Sequence, residues 1–247
     1  MKENAYERYI TESSGWLHTG RSALVERLLG FFVSRHDLSP DILEIGAGVG
    51  QNVPALRKFG TVDVLEIDKK GLEVLRGRPD VREVIAQGIP CSLARTYDII
   101  CAFDVIEHLE DDCAALQWIA ENLKPGGLFL ATVPAHQWFF TQHDVALGHY
   151  RRYTRKTFRN IIPQDFELLA DSHFNTMLFP LAIAARMAWV MRNHFARAAH
   201  ENKQPVPSQG MLSRLLLSIF MREIRNTSPA TYRPFGLSYY ACMRKKP

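Results

Sequence analysis

Cysteine is scarce in this 247-residue chain, and the little there is does not pair. Cys91, Cys101, Cys113 and Cys242 form no Cys-x-x-Cys motif and no Cys/His ligand spacing. That pattern argues against a disulfide scaffold and against structural zinc, so no metal is expected. It also predicts a reduced, cytoplasmic protein. Long apolar runs are missing too. No stretch reaches the ~18 uncharged apolar residues of a membrane-spanning helix. The nearest, Thr176 to Ala185, is broken by Pro180 and stopped by Arg186. The start, Met-Lys-Glu-Asn-Ala-Tyr-Glu-Arg, has no apolar core of signal-peptide length. Neither sign of charge dominates: the formal net charge of +4 is too modest to indicate nucleic acid by itself. Hydrophobic content of 47% and charged content of 23% are ordinary for a globular protein and suffice for a sizeable core.

One further lack is informative. The stretch Asp41-Ile-Leu-Glu-Ile-Gly-Ala-Gly-Val-Gly-Gln-Asn52 is a short apolar run ending in Gly46, Gly48 and Gly50. A strand that ends in glycines and passes into a helix brings bare backbone close to a ligand. The G-x-G-x-x-G spacing of a dinucleotide loop is absent, because Gln51 stands where its third glycine belongs. Glu44 precedes the loop, where a carboxylate repels a pyrophosphate and attracts a cation. A ligand carrying an ammonium and a sulfonium, S-adenosylmethionine, fits better than a nicotinamide nucleotide.

The remainder alternates strand and helix. Strands are expected at Ile42–Ile45, Val62–Glu66, Val84–Ala86, Tyr97–Ala102 and Leu128–Val133, with helices near Asn52–Lys58, Gly71–Arg76 and Cys113–Leu123. Lys124-Pro-Gly-Gly127 reads as a tight turn into the fifth strand. Such alternation predicts a parallel sheet with helices on both faces and ligands beyond the carboxyl ends of the strands. Upstream, Leu24, Val25, Leu28, Leu29 and Phe32 predict an amphipathic helix over Arg21–Val33, preceded by a loop or short helix at Ser14–Arg21. Trp16 and His18 there are pocket candidates, with core packing the favoured role for Trp16.

With Asp104-Val-Ile-Glu-His-Leu109 and Leu123-Lys-Pro-Gly-Gly127 following in order, the chain resembles the class I S-adenosylmethionine-dependent methyltransferases. The resemblance implies an α/β, doubly wound Rossmann-like fold. Its seven-stranded sheet is mostly parallel, with the last strand antiparallel and a helical insertion before that strand. The whole chain is expected as one domain. Residues 1–37 form an N-terminal helical cap, 38–174 and 236–247 the core, 135–160 a substrate-facing insertion, and 175–235 a helical lid or dimerisation insertion. The resemblance assigns the cofactor to Glu44, Gly46, Ala47, Gly48, Gly50, Glu66, Ile67, Gln87, Gly88, Phe103, Asp104 and His108. Glu66, at the end of the second strand, is the ribose acceptor in preference to Asp68. Gln87 stands where the family often has an acidic side chain against adenine. Phe103 reads equally well as a stacking ring or a core residue.

The run Asp144-Val-Ala-Leu-Gly148-His149-Tyr-Arg151-Arg152-Tyr153-Thr154 resembles a D-x-x-x-G-H-x-R-R-Y-T pattern of a methyltransferase subgroup associated with polysaccharide and glycolipid genes. The family places the loop after the fifth strand opposite the transferred methyl group. A small-molecule or glycolipid acceptor, anionic or sugar-like and methylated on oxygen, is the expectation, with Arg151, Arg152 and Tyr153 binding it. Arginine grips carboxylate or phosphate with paired donors. His149, then His143 and Asp144, are the candidates for a base. Thr154 reads as the N-cap of a helix through Ile162, with Arg155, Lys156 and Arg159 on one face.

Beyond a strand at Phe166–Phe174 come an apolar helix from Asn175 to Arg197, a polar linker from Ala198 to Gly210, a second amphipathic helix at Met211–Arg222, and a final strand at Gly236–Arg244. Arg186, Arg192, Arg197, Arg214, Arg222 and Arg225 flank the apolar faces. Packing on the core or on a sister subunit is favoured there over an acidic membrane surface. Nucleic acid is not an expected partner. An RNA-binding methyltransferase-like module and a non-catalytic S-adenosylmethionine sensor remain as alternatives.

Overall fold

The computed structural model describes residues 15–33, 39–195 and 210–247. Two adjacent runs, β1 (Asp41–Ile45) and β2 (Thr61–Leu65), are buried after their first residue, as befits parallel strands covered on both faces. They lie side by side in a seven-stranded sheet of order β3-β2-β1-β4-β5-β7-β6, where β3 is Glu83–Ile85, β4 Tyr97–Phe103, β5 Leu123–Pro134, β6 Phe166–Phe174 and β7 Ser238–Lys245. β1 pairs parallel with both β2 and β4, so the strand order reverses at the end of β1. That switch point opens a crevice at the carboxyl edge. β7 runs antiparallel between β5 and β6. The fold class expected of the sequence is therefore the one observed.

Several boundaries differ. The first helix, α1 (Trp16–Phe32), starts five residues earlier than the apolar periodicity suggested. Gly20 does not break it, because the absent side chain leaves room for Phe220 from α8 (Met211–Arg225). α2 is a single turn, Val53–Leu56, while α3 covers Lys69–Arg76 and α4 Asp112–Asn122. Lys124-Pro-Gly-Gly127 is not a turn before β5. It is a bulge within β5, since Tyr97 pairs with Leu123 but Ile99 with Leu128, and Gly126 takes φ +78.

After β5 come α5 (Gln142–Leu147), closed by a Thr141/Asp144 capping box, and α6 (Arg155–Asn160), closed by Thr154 and Thr157. Thr154 is thus the N-cap the sequence indicated. α7 spans Phe179–Phe195. The side chains of Trp189, Val190, Met191 and Arg192, together with Arg197, most of the 198–210 linker and residues 1–14, lie outside the described residues. No described helix is long and apolar enough to cross a membrane.

Two buried clusters flank the sheet. One joins α1 and α8 to Ile42, Val62, Val64 and Tyr240; the other joins α4 and α6 to Ile100, Phe129 and Tyr239. Trp16 is in the first, edge-on to Phe220 at 6.3 Å, and Phe220 stacks on Phe174 at 6.0 Å. Trp16 is therefore a core residue. A Cβ at position 20 would come within 2.1 Å of the buried Phe220 ring. Gly20→Ala is expected to destabilise by about 1–3 kcal/mol through overpacking, although alanine is intrinsically the better helix former by about 1 kcal/mol. A denaturant midpoint that rises instead would show the contact to be loose.

Candidate functional site

The carboxyl edge of β1 to β5 holds the site. Gly46, Gly48 and Gly50 have φ of 65, 59 and 77, so each needs the left-handed freedom of glycine. Gly46 also approaches Val105, where a Cβ would meet Cγ2 at 2.6 Å. The loop is tied to the end of β2: Gly46 N donates to Leu65 O at 2.7 Å and Gly48 N to Glu66 Oε2 at 2.6 Å. Glu66 Oε1 takes the backbone amides of Ile67 and Asp68, both at 2.8 Å. Asp68 instead caps α3, accepting from Lys70 and Gly71 amides. Of the two acidic side chains, Glu66 faces the loop.

Ile67 is 70% exposed, and a Cβ on Gly88 would lie 3.5 Å from its Cγ2. Gln87, beside that glycine, is exposed as well. Ala47, within the loop, is buried. Glu44 is buried inside β1. Its Oε1 accepts from Asn52 Nδ2 at 2.9 Å, and Asn52 in turn accepts from Ser22 of α1. Its Oε2 is buried without a partner, and burial pushes the carboxyl up to about 7. Phe103 packs in the core cluster and not in the crevice.

Asp104 adopts φ 55 just past β4, with its amide on Thr132 O (2.8 Å) and Oδ1 accepting from Thr132 Oγ1 (3.0 Å). Its other oxygen pairs with Arg21 of α1. Arg21 is buried, and sequence reading missed it as a site residue. The available signal was an arginine on the apolar stripe of an amphipathic helix, one turn before Leu24, Val25 and Leu28. Burial and Arg21 together hold the nearby His18 down to about 4.

The insertion folds back on the β4–α4 connection. Tyr150 N donates to Glu107 O at 2.8 Å and Arg151 to Glu110 O at 2.7 Å. Arg151 also pairs with Asp112 at 2.8 Å, and the buried Tyr153 hydroxyl donates to the same carboxylate at 2.7 Å. Tyr153 thus belongs to the core, where its ring meets Phe158 edge-on at 5.4 Å. Asp144 accepts from Thr141 N, Thr141 Oγ1, Arg152 Nε and, at 3.1 Å, His149 Nδ1. Burial opposes its ionisation, but the His149 and Arg152 hydrogen bonds prevail and hold the carboxyl below the usual range. Asp144 is accordingly a positioning group with no capacity left for a substrate proton. His143 is exposed on α5.

His149 and His108 meet edge-to-face at 4.5 Å, and burial first, then His149, holds His108 down to about 4. Ligand-capable atoms of Glu107, His108 and His149 lie within 4.8 Å of one another, a convergence no local spacing announced. Glu107 is fully buried with both oxygens unpartnered, and burial raises its carboxyl well above the usual range. Two further histidines absent from the sequence-derived candidates, His136 just past β5 and His173 in β6, stack at 5.1 Å. They are 37 residues apart, so only the sheet brings them together.

Residues 16–199 match the family model described as a methyltransferase domain. The chain belongs to this methyltransferase family. Two ubiquinone biosynthesis O-methyltransferases, from Paracidovorax citrulli and Leptothrix cholodnii, are 29% and 28% identical to it over 102 residues, 37% of this chain. The match spans only 43% of the length of those relatives. Among solved structures, a chain from the Haloferax volcanii complex of the Trm112 methyltransferase activator with a methyltransferase aligns at TM-score 0.60 and 16% identity, over 98% of this chain and 94% of that one. The plantazolicin methyltransferase BpumL, solved with SAH, aligns at TM-score 0.59 and 11% identity, over 100% and 90%. At such identities the likeness is one of fold.

The residues present fit the cofactor. The Oε2 atom of Glu44 is buried without a partner, Ile67 is bare beside Gly88, and three left-handed glycines shape the loop between them.

Proposed function

We propose that this methyltransferase transfers a methyl group from S-adenosylmethionine to an oxygen of a small or lipid-linked acceptor at the carboxyl edge of β4, β5 and β6. The observation that carries this reading is the Arg21–Asp104 pair. It brings a buried guanidinium from α1 over the crevice between the glycine loop and the end of β4. In this reading Glu66 takes the ribose hydroxyls, Ile67, Gln87 and Gly88 flank the adenine, and Arg21 holds the methionyl carboxylate while Asp104 faces the ammonium. The cofactor supplies an electrophilic methyl on a sulfonium. The chain's part is to orient the acceptor oxygen in line with that methyl, exclude water and take a proton.

Oxygen as the methylated atom is supported by the O-methyltransferase relatives. An anionic acceptor draws little support from Arg151, Arg152, Arg155 and Arg159, each of which is already paired with Asp112, Asp144 or Asp171.

Calorimetric titration of S-adenosylmethionine and S-adenosylhomocysteine tests the cofactor site, with NADH as control. Wild type is expected to bind both and not NADH. Arg21→Ala should weaken binding by about tenfold or more, the loss of one hydrogen bond to a charged group. Equal affinity in the two proteins would remove Arg21 from the site. Absence of binding by wild type would overturn the reading.

A further inference from the structure

His136 follows β5 in the left-handed region at φ 64, a conformation that costs a non-glycine residue energy and clusters at functional sites. Its ring lies parallel to that of His173, at an interplanar angle of 6°. His173 Nδ1 is 3.0 Å from Arg233 O, and His136 hydrogen-bonds the Gly236 backbone. An imidazole whose Nδ1–H donates to a carbonyl presents Nε2 as a bare acceptor. Both Nε2 atoms are buried and have no partner among the described residues. Unmet buried polar atoms are costly, and what these two want is a donor.

The surroundings are aromatic. The His136 ring is 5.6 Å from that of Trp138 and 5.2 Å from that of Phe179, and Phe179 stacks on Phe235 at 5.7 Å. Trp138 and Phe235 are 56% and 45% exposed, so two flat aromatic faces stay open to solvent beside the buried pair. This box stands one strand over from Asp104, on the same edge of the sheet.

Resting on the methyltransferase reading, we propose that the box is the acceptor site, that it takes a planar aryl hydroxyl, and that His136 Nε2 receives the proton. The exposed faces of Trp138 and Phe235 suit an aromatic guest in offset or edge-to-face contact. Two bare nitrogens satisfy one or two hydroxyls, whereas a sugar carries one on nearly every carbon. The step balances. The aryl O–H proton passes to His136 Nε2, the oxygen's electron pair forms the bond to the methyl carbon, and the carbon–sulfur pair returns to sulfur, which leaves as the neutral thioether.

The test is transfer of labelled methyl from S-adenosylmethionine to catechol, phenol and cyclohexanol, the last matching phenol in size but lacking the aromatic ring. Wild type should methylate an aryl hydroxyl and leave cyclohexanol untouched. Trp138→Ala should raise KM for the aryl acceptor about tenfold at unchanged kcat, the value of one aromatic contact. His136→Asn, chosen because asparagine tolerates left-handed backbone, should lower kcat by about a hundredfold or more, and added imidazole should restore part of it. Cofactor affinity should stay unchanged in both variants. Transfer to cyclohexanol as fast as to phenol, an unmoved KM in Trp138→Ala, or a wild type that binds S-adenosylmethionine yet methylates no aryl hydroxyl would each overturn the pocket while sparing the methyltransferase reading. A wild type that binds no S-adenosylmethionine would overturn both.

Discussion

Replacing Glu66 by alanine is expected to weaken S-adenosylmethionine binding by about thirtyfold to a hundredfold, from the ~2–3 kcal/mol carried by hydrogen bonds to a charged group. Two losses combine. In the proposed site the carboxylate would no longer receive the ribose hydroxyls, and the Gly48, Ile67 and Asp68 amides that converge on it would lose their acceptor. The second loss loosens the loop before any ligand arrives, so preorganisation goes along with the direct contact. Glu66→Gln should fare little better, because its amide group would point donors at donors. Calorimetry on both variants checks this, with thermal melting as the control for folding. An affinity within error of wild type would show that the ribose is held elsewhere.

The second large effect concerns stability. Asp171 in β6 accepts from both Arg155 and Arg159 of α6, at 2.8–2.9 Å in two-pronged geometry, and from the buried Tyr239 hydroxyl of β7. Asp171→Asn keeps the shape but turns an amide group toward two guanidinium groups. About 2 kcal/mol of destabilisation is expected, because Asp171 is buried while the two guanidinium groups are partly exposed and screened by solvent. For a chain of this size that corresponds to a melting temperature lower by roughly 6 °C.

The pH dependence follows from the same contacts. Burial opposes ionisation of Asp171, yet the Arg155, Arg159 and Tyr239 hydrogen bonds outweigh it and hold the carboxyl below its ordinary value. A depressed carboxyl contributes stability that is complete above the unfolded pKa of ~3.9 and is lost as pH falls through the lower folded value. The gap between wild type and Asp171→Asn should therefore be constant near neutrality and narrow in acid below about pH 4. A gap that instead widened in acid would mean the carboxylate is not the charged hub.

Local signals and distant partners account for what was legible in the chain. The strands around Ile42, Val62, Ile99 and Leu128 announced themselves because burial on both faces demands continuous apolar runs. Thr154 and the three loop glycines were readable because a cap or a positive φ is a demand of one position. The Lys124-Pro-Gly-Gly127 segment misled for the same reason. Turn residues also serve a bulge, and only the pairing with β4 distinguishes the two.

The arginines of the 150s looked like a free patch because their partners were out of view. Asp112 lies far upstream, Asp144 inside the same insertion, and Asp171 on the next strand. The histidine pair and Arg21 escaped notice likewise, since each becomes informative only after β5, β6 and α1 are brought to one edge.

The docking of α1 on α8 has a consequence for the cleft. Gly20 lies beneath Phe220, Arg27 Nε reaches Thr227 O at 2.7 Å, and the neighbouring Arg21 spans to Asp104. One rigid rod therefore carries the seal of the cleft at one point and leans on the carboxy-terminal third of the chain at two others. If Arg21 holds the methyl donor as proposed, a change that loosens α8 should weaken that hold, and by reciprocity the bound donor should steady α8. The two ends of the described chain would then be linked through one helix, although the residues of α8 stand outside the crevice.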